Sequence, residues 1–295
     1  MKNIFTYSAA FVLGLALVAT PEADAQQFSK RKQYNSVGFS LNAINYFGDV
    51  TPVTSFTSLR FGATRVGAGV SLTRRFFPRL SGRVGLSYGR ISGSDEKATD
   101  GVSDPDARFR RNRNFTFRND IIEASAVAVF DLIENRNNYL KRPDFVPYVF
   151  AGVAGFYHNP KGLSADGEYV SLASLKTENQ ASAYGKTQFS VPFGGGIRYR
   201  INRNFDASLE IGWRKTFTDY LDDVGGKYAG IENLSGSELR QYFGYGITKD
   251  RGAFPGFDNV GEQRGDSGNK TDWYIVTGVT LNYILTPRIK NPKFR

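Results

Sequence analysis

The chain of 295 residues contains no cysteine and a single histidine. The absence of cysteine excludes a disulfide framework, a thiolate metal site and a lipid-anchor cysteine at a processing point. Also missing is any uninterrupted apolar run of about 20 residues, the length a helix needs to cross about 30 Å of hydrocarbon. The one sustained apolar stretch, residues 9–19, is too short for that. It follows Lys2 and precedes Ala23-Asp24-Ala25, a small-x-small pattern, so residues 1–25 read as a secretory signal cut before Gln26. Helical membrane spans are excluded, although the chain is addressed for export.

A chain that is 40% hydrophobic with negative mean hydropathy looks soluble in a sliding window. Period-two alternation hides a different architecture from such windows. In residues 205–219, Phe205, Ala207, Leu209, Ile211, Trp213 and Phe217 fall on one face. Asp206, Ser208, Glu210, Gly212, Arg214, Thr216 and Thr218 fall on the other. Soluble half-buried strands usually stop after about 5 or 6 residues, whereas this pattern runs longer and recurs. Eight segments carry it, at about 34–47, 60–76, 81–92, 118–132, 147–158, 187–201, 205–219 and 272–285. The fifth is apolar on both faces, which leaves its orientation open. The expected fold is all-β: an eight-stranded antiparallel transmembrane β-barrel with long extracellular loops, occupying residues 26–295. A soluble eight-stranded barrel of lipocalin type is the competing architecture, and it would place apolar residues inside and charge outside.

Short connections at 78–80 and 202–204 mark the periplasmic end, since membrane barrels keep their tight turns there. The segments near 48–59, 93–117, 159–186 and 220–271 are then extracellular loops. The periplasmic link 133–146 is long for its side and is a place to expect a partner, at Asn135, Arg136, Tyr139, Lys141 and Arg142, as is the basic tail with Arg288, Lys290 and Lys293. Aromatic girdles should mark both interfaces. The topology assigns Phe76, Phe130, Tyr148, Tyr199, Phe205 and Tyr283 to the lower one. Phe47, Tyr88, Phe156, Phe189, Phe217 and Trp273 fall at the upper one.

The inward positions include Arg65, Arg83, Glu123, Asp131, Arg198, Arg200, Asp206, Glu210 and Arg214. An eight-stranded lumen is just wide enough to be filled by side chains, and unpaired buried charge is costly. These groups are expected to pair into a plug, with a gated pore as the alternative. The net charge of +10 becomes +11 once residues 1–25, with one Lys and two acids, are removed. That excess suits anionic headgroups. Nucleic acid is set aside, because an exported barrel rarely meets it and no recognition helix or stacking motif is present. Arg108, Arg110, Arg111 and Arg113 form a basic cluster suited to lipopolysaccharide phosphates.

Chemistry is sparse. His158 with Ser164 is a weak candidate for lipid-modifying catalysis because no third group is evident. Asp219, Asp222 and Asp223 could offer carboxylates to calcium, but their spacing matches no standard calcium loop. Arg264-Gly265-Asp266 spells an adhesion tripeptide that chance explains in a Gly-rich loop. Neither an enzyme activity nor a cofactor is expected.

Several phrases resemble a family of small outer-membrane barrels of the Bacteroidetes group that includes PorG-like components of the type IX secretion system. They are NYFGD at 45–49, SLTRRFFPRLSGRVGLSYGRI at 71–91, FRNDIIEASAVAVFDLIEN at 117–135 and FVPYVFAGVAGFYHNPKG at 145–162. PFGGGIRYRINRNFDASLEIGWRKTFTDYLDD at 192–223 extends the match. The resemblance covers most of 40–225, while 224–271 matches nothing recognised. It implies a non-enzymatic scaffold in the outer membrane that anchors a periplasmic lipoprotein ring. The rival expectation is a surface barrel of the OmpA and OmpX type for adhesion or membrane integrity, or a small porin.

Overall fold

A computed structural model describes residues 32–50, 61–95, 113–245, 264–265 and 271–286. Residues 1–25, Arg108, Arg110, Arg111, Asp266 and the basic tail lie outside them. The strands are β1 (Asn35–Phe47), β2 (Arg65–Arg75), β3 (Leu80–Ser94), β4 (Thr116–Asp131), β5 (Phe145–Leu163), β6 (Tyr169–Ser171), β7 (Thr187–Arg200), β8 (Phe205–Thr216) and β9 (Trp273–Leu285). Among the described residues one α-helix, α1 (Glu238–Tyr245), and three short 3-10 turns accompany them.

Eight strands close in the order β1-β2-β3-β4-β5-β7-β8-β9, each antiparallel to its neighbours, and β9 returns to β1 through thirteen register pairs from Asn35–Leu285 to Phe47–Trp273. Closure leaves no unpaired edge in the eight-stranded wall, the condition a sheet must meet inside hydrocarbon. The short β6 adds a hairpin to the top of β5, pairing Lys161 with Ser171. Between Ala151–Phe193 and Ala154–Ser190 the β5–β7 ladder is interrupted at Pro192, which has no N–H to donate.

The alternation decides which face is outside. Val66, Phe189, Val153 and Leu41 are 83, 69, 65 and 63% exposed, and Val37, Leu72, Val84, Leu86, Ile122, Leu209, Val279 and Leu281 join them around the wall. Soluble monomers rarely present more than a few hundred Å² of contiguous apolar surface. An apolar exterior over a charged interior is the reverse of a lipocalin-type barrel. β5 resolves its ambiguity by turning its even-numbered residues inward, with Val146, Tyr148, Phe150, Ala154, Phe156 and His158 buried. Tyr148 and Phe156 therefore leave the girdles assigned to them. Tyr148 lies in the lumen beneath Arg198 and Phe150 beneath Arg83, both at 5.1 Å, whereas Phe156 packs into the apolar core under the cap.

The described parts of the segments joining strands at the long-loop end fold over the barrel. Ile44, Tyr46, Ile91, Phe117, Ile121, Phe156 and Tyr274 from the barrel's inner wall form one apolar core with Val50, Phe115, Leu172, Leu221, Val224 and Phe243 from above. The upper end of the lumen is thus a protein core, continuous with a folded cap.

Candidate functional site: a plugged lumen and its two closures

Charge inside the barrel is paired across the lumen, mostly between strands that are not neighbours. Arg83 on β3 grips Glu210 on β8 with two bonds of 2.8 and 2.7 Å, the bidentate fork that guanidinium and carboxylate favour. Arg214 on β8 approaches both oxygens of Glu123 on β4 at 3.3 Å, and the Tyr274 hydroxyl donates to Glu123 Oε2 at 2.6 Å. Asp131, at the foot of β4, holds Arg75 Nη1 at 2.9 Å and Arg198 Nη2 at 2.7 Å. Arg75 was not singled out in the sequence, although its inward parity on β2 is the signal that could have found it. Arg65 has inward parity as well, yet it stands at the strand's end and donates to the carbonyls of Gly62 and Thr64, both at 3.1 Å, outside the network.

These pairs divide the interior. A cavity of about 90 Å³ lies between the Arg83–Glu210 and Arg214–Glu123 pairs, lined also by Ser40, Asn42, Ser71, Ser87, Ser125 and Thr280. That is room for a few waters among polar partners. Below Arg83 a second space of about 30 Å³ ends on Arg75, Arg198 and Asp206, and a third of about 10 Å³ lies against Arg142. The Asp131 triad and the Arg83 pair separate these volumes.

At the short-turn end the link 132–144 closes the mouth. Arg142 reaches Asp206 at 2.6 and 3.0 Å and donates to the carbonyls of Tyr139, Asn202 and Arg203 at 2.5, 2.8 and 2.9 Å. This arginine is a buried bolt and is not available to a partner. Asn135 is buried too, where its Oδ1 accepts from the Asn137 N–H at 2.9 Å. Arg200 sits at the rim, paired with Asp144 and donating to the Arg142 carbonyl at 2.8 Å. Of the residues expected to meet a partner, Arg136 and Lys141 are exposed and Tyr139 is half-buried near Tyr34, their rings 6.4 Å apart. Leu132, Ile133 and Leu140 are exposed beside them.

At the other end the cap carries a second ionic lattice that the sequence did not suggest. Arg113 is buried, with Nε and Nη2 on Asp95 at 2.7 and 2.9 Å and further bonds to the carbonyls of Asp49 and Arg264. It cannot serve surface phosphates. Arg264 is likewise buried on Glu178 at 3.0 Å and Asp223 at 3.6 Å, so its guanidinium is not offered for adhesion.

Asp222 and Asp223 point to different partners. Asp222 accepts from the Tyr46 hydroxyl at 2.6 Å and the Val50 and Val224 N–H groups. Asp223 accepts from Thr177 at 2.6 Å and Tyr184 at 2.7 Å. Among the described residues no group of three His, Cys, Asp or Glu is arranged to hold a metal. Burial pushes Asp222 up to about 7 and Asp223 to about 6, and Asp272, which shares the Tyr46 hydroxyl, lies well above the usual carboxylate range for the same reason. His158 is fully buried with Nε2 at 3.2 Å from the Gly185 carbonyl, while the Ser164 hydroxyl accepts from the Glu168 N–H. The two do not form a nucleophile and base.

Among curated proteins no sequence matches this chain. Similar solved structures include Ail, the attachment invasion locus protein of Yersinia pestis, with 9% identity, 86% of this chain and 97% of that chain covered, and a TM-score of 0.36. OprG from Pseudomonas aeruginosa has 9% identity, 88 and 99% coverage and a TM-score of 0.39. A major outer membrane protein from Thermus thermophilus has 11% identity, 85 and 99% coverage and a TM-score of 0.39. A family model described as a domain of unknown function, DUF6089, matches residues 24–257, and over that span the chain belongs to the DUF6089 family.

Proposed function

We propose that this protein is a non-enzymatic barrel of the outer membrane that serves as a scaffold, with short turns in the periplasm and the cap outside the cell. The observation that carries the reading is a lumen filled by paired charge while the short-turn rim presents Leu132, Ile133, Arg136, Leu140 and Lys141 on the link 132–144. A closed lumen favours contact over transport, and exposed apolar groups interleaved with basic ones suit a protein surface. The resemblance to PorG-like barrels makes a periplasmic lipoprotein ring of the type IX secretion system the partner of choice, with outer-membrane lipids and lipopolysaccharide around the wall.

The absence of native cysteine allows a direct test. A Leu140→Cys variant carrying a short cross-linker in cells should capture a periplasmic lipoprotein, and deleting the gene should impair export of type IX cargo. Normal export after deletion rejects the secretion role. The folded cap favours a second reading, a surface barrel for adhesion or membrane integrity; capture of an extracellular ligand, with nothing captured by the Leu140→Cys variant, would select it.

A further inference from the structure

The lumen arginines Arg75, Arg83, Arg198 and Arg214 all meet carboxylates, but side by side on the outer face of β4 and β5 two cations form no ion pair among the described residues. On β4, Arg118 lies flat on the Tyr169 ring, 3.8 Å from its centroid. Its Nε is buried and makes no hydrogen bond. Opposite it in register is Lys161 of β5, the second of the two. Two residues lower, Arg90 and Tyr88 both donate to Asp120, at 2.6 and 3.0 Å. Three cations against one carboxylate leave an excess of two positive charges on one patch of wall.

Height gives the patch its meaning. Tyr88, Ile122 and Tyr157 are register partners across β3, β4 and β5, all exposed, and they form the top row of the apolar band there. The next outward row is Arg90, Asp120 and Asn159; the one above it is Ser92, Arg118, Lys161 and Ser171. Each two-residue step rises about 5 Å along the barrel axis once strand tilt is allowed for. The charged rows therefore stand about 5 and 10 Å above the aromatic row, in the layer where headgroups begin. We propose that Arg90, Arg118 and Lys161 bind the phosphate monoester of an outer-leaflet glycolipid of lipid A type, whose acyl chains lie on Val84, Leu86 and Val153 below. Arg118 is already fixed by Tyr169, so little side-chain freedom is lost when phosphate arrives. Asp120 orients Arg90 by its Nε, which leaves the other guanidinium edge for the ligand.

This site rests on the orientation proposed above, with the cap outside the cell. The full mature chain in detergent would be titrated by native mass spectrometry with bisphosphorylated lipid A, with its dephosphorylated form and with inorganic phosphate. Bisphosphorylated lipid A should bind about tenfold or more tighter than the dephosphorylated form, and inorganic phosphate should not be retained. Arg118→Gln/Lys161→Gln should remove that preference, whereas Lys215→Gln, at a residue that stacks on Trp273 at another part of the wall, should keep it. Equal binding of the two lipids, retention of free phosphate alone, or an unaffected double variant overturns the site. Fast migration of unheated samples on a denaturing gel reports whether the double variant folds; should it not, the single Lys161→Gln variant carries the comparison. Labelling Asp166→Cys, at the exposed β5–β6 turn, with an impermeant maleimide on whole cells tests the orientation separately. Labelling with no lipid preference rejects the site alone; no labelling on folded protein rejects the orientation.

Discussion

Asparagine at position 131 should unlatch the lower plug. Asp131 is 1% exposed and bridges Arg75, 3% exposed, and Arg198, 19% exposed. Asp131→Asn keeps the shape but leaves two guanidinium groups facing each other in a space of about 30 Å³. Breaking a buried pair by removing one partner costs about 3–5 kcal/mol, and here one carboxylate serves two cations. The partial exposure of Arg198 lets water relieve part of the penalty, so the lower half of that range is expected. Replacing all three groups, as Arg75→Met/Asp131→Leu/Arg198→Met, removes the charge together with its desolvation cost and should recover most of the loss. The assay is reversible urea unfolding of the folded barrel in lipid or detergent, followed by tryptophan fluorescence from Trp213 and Trp273, with the midpoint and slope measured for each variant. A loss below about 1 kcal/mol for Asp131→Asn, or a triple variant as unstable as the single one, would refute the reasoning.

Acid should tighten the cap. Burial holds Asp222 at about 7, far above the carboxylate range, so between about pH 4 and 7 the folded cap keeps a proton that the unfolded chain has released. This contribution is complete below about pH 4 and is lost as pH rises through 7, at up to about 1.4 kcal/mol per unit for the group. Asp272 and Asp223 shift in the same direction, while Arg113 provides the opposing positive field at Asp222. Amide exchange at Val50, Leu221 and Val224, corrected for intrinsic rate, should be slower at pH 5 than at pH 8, and Asp222→Asn should flatten the difference; faster exchange at pH 5 contradicts the sign. Gly152→Ala should destabilise the barrel by about 1–3 kcal/mol, because a Cβ there would lie 2.1 Å from the Ala126 carbonyl oxygen and 2.6 Å from Val127 Cα, both backbone of β4. An unchanged urea midpoint would show that β4 and β5 can part without cost.

Strand alternation was legible because it is local: the side of Leu209 or Glu210 follows from parity along β8, and short turns give the strand order. The inner partners were not, since Arg83 and Glu210 are far apart in sequence and meet only when the sheet closes. β5 hid its orientation because its inner face packs beneath arginine and under the cap, so Tyr148, Phe150 and Phe156 are as apolar as the lipid side. The acids at 222 and 223 read as solvated loop charge, yet the buried Arg113 and Arg264, contributed by distant segments, draw them into the cap. Arg142 read as a contact for a periplasmic partner for a similar reason. Its carboxylate, Asp206, belongs to another turn of the barrel.

Closure of the lumen is the central claim, and single-channel recording in a planar bilayer tests it most directly. With the purified full mature chain inserted, the layered pairs Arg214–Glu123, Arg83–Glu210 and Arg75–Asp131–Arg198, between the capped upper core and the Arg142 bolt, predict no stable conductance. Steady, ion-sized current steps from folded protein would contradict it.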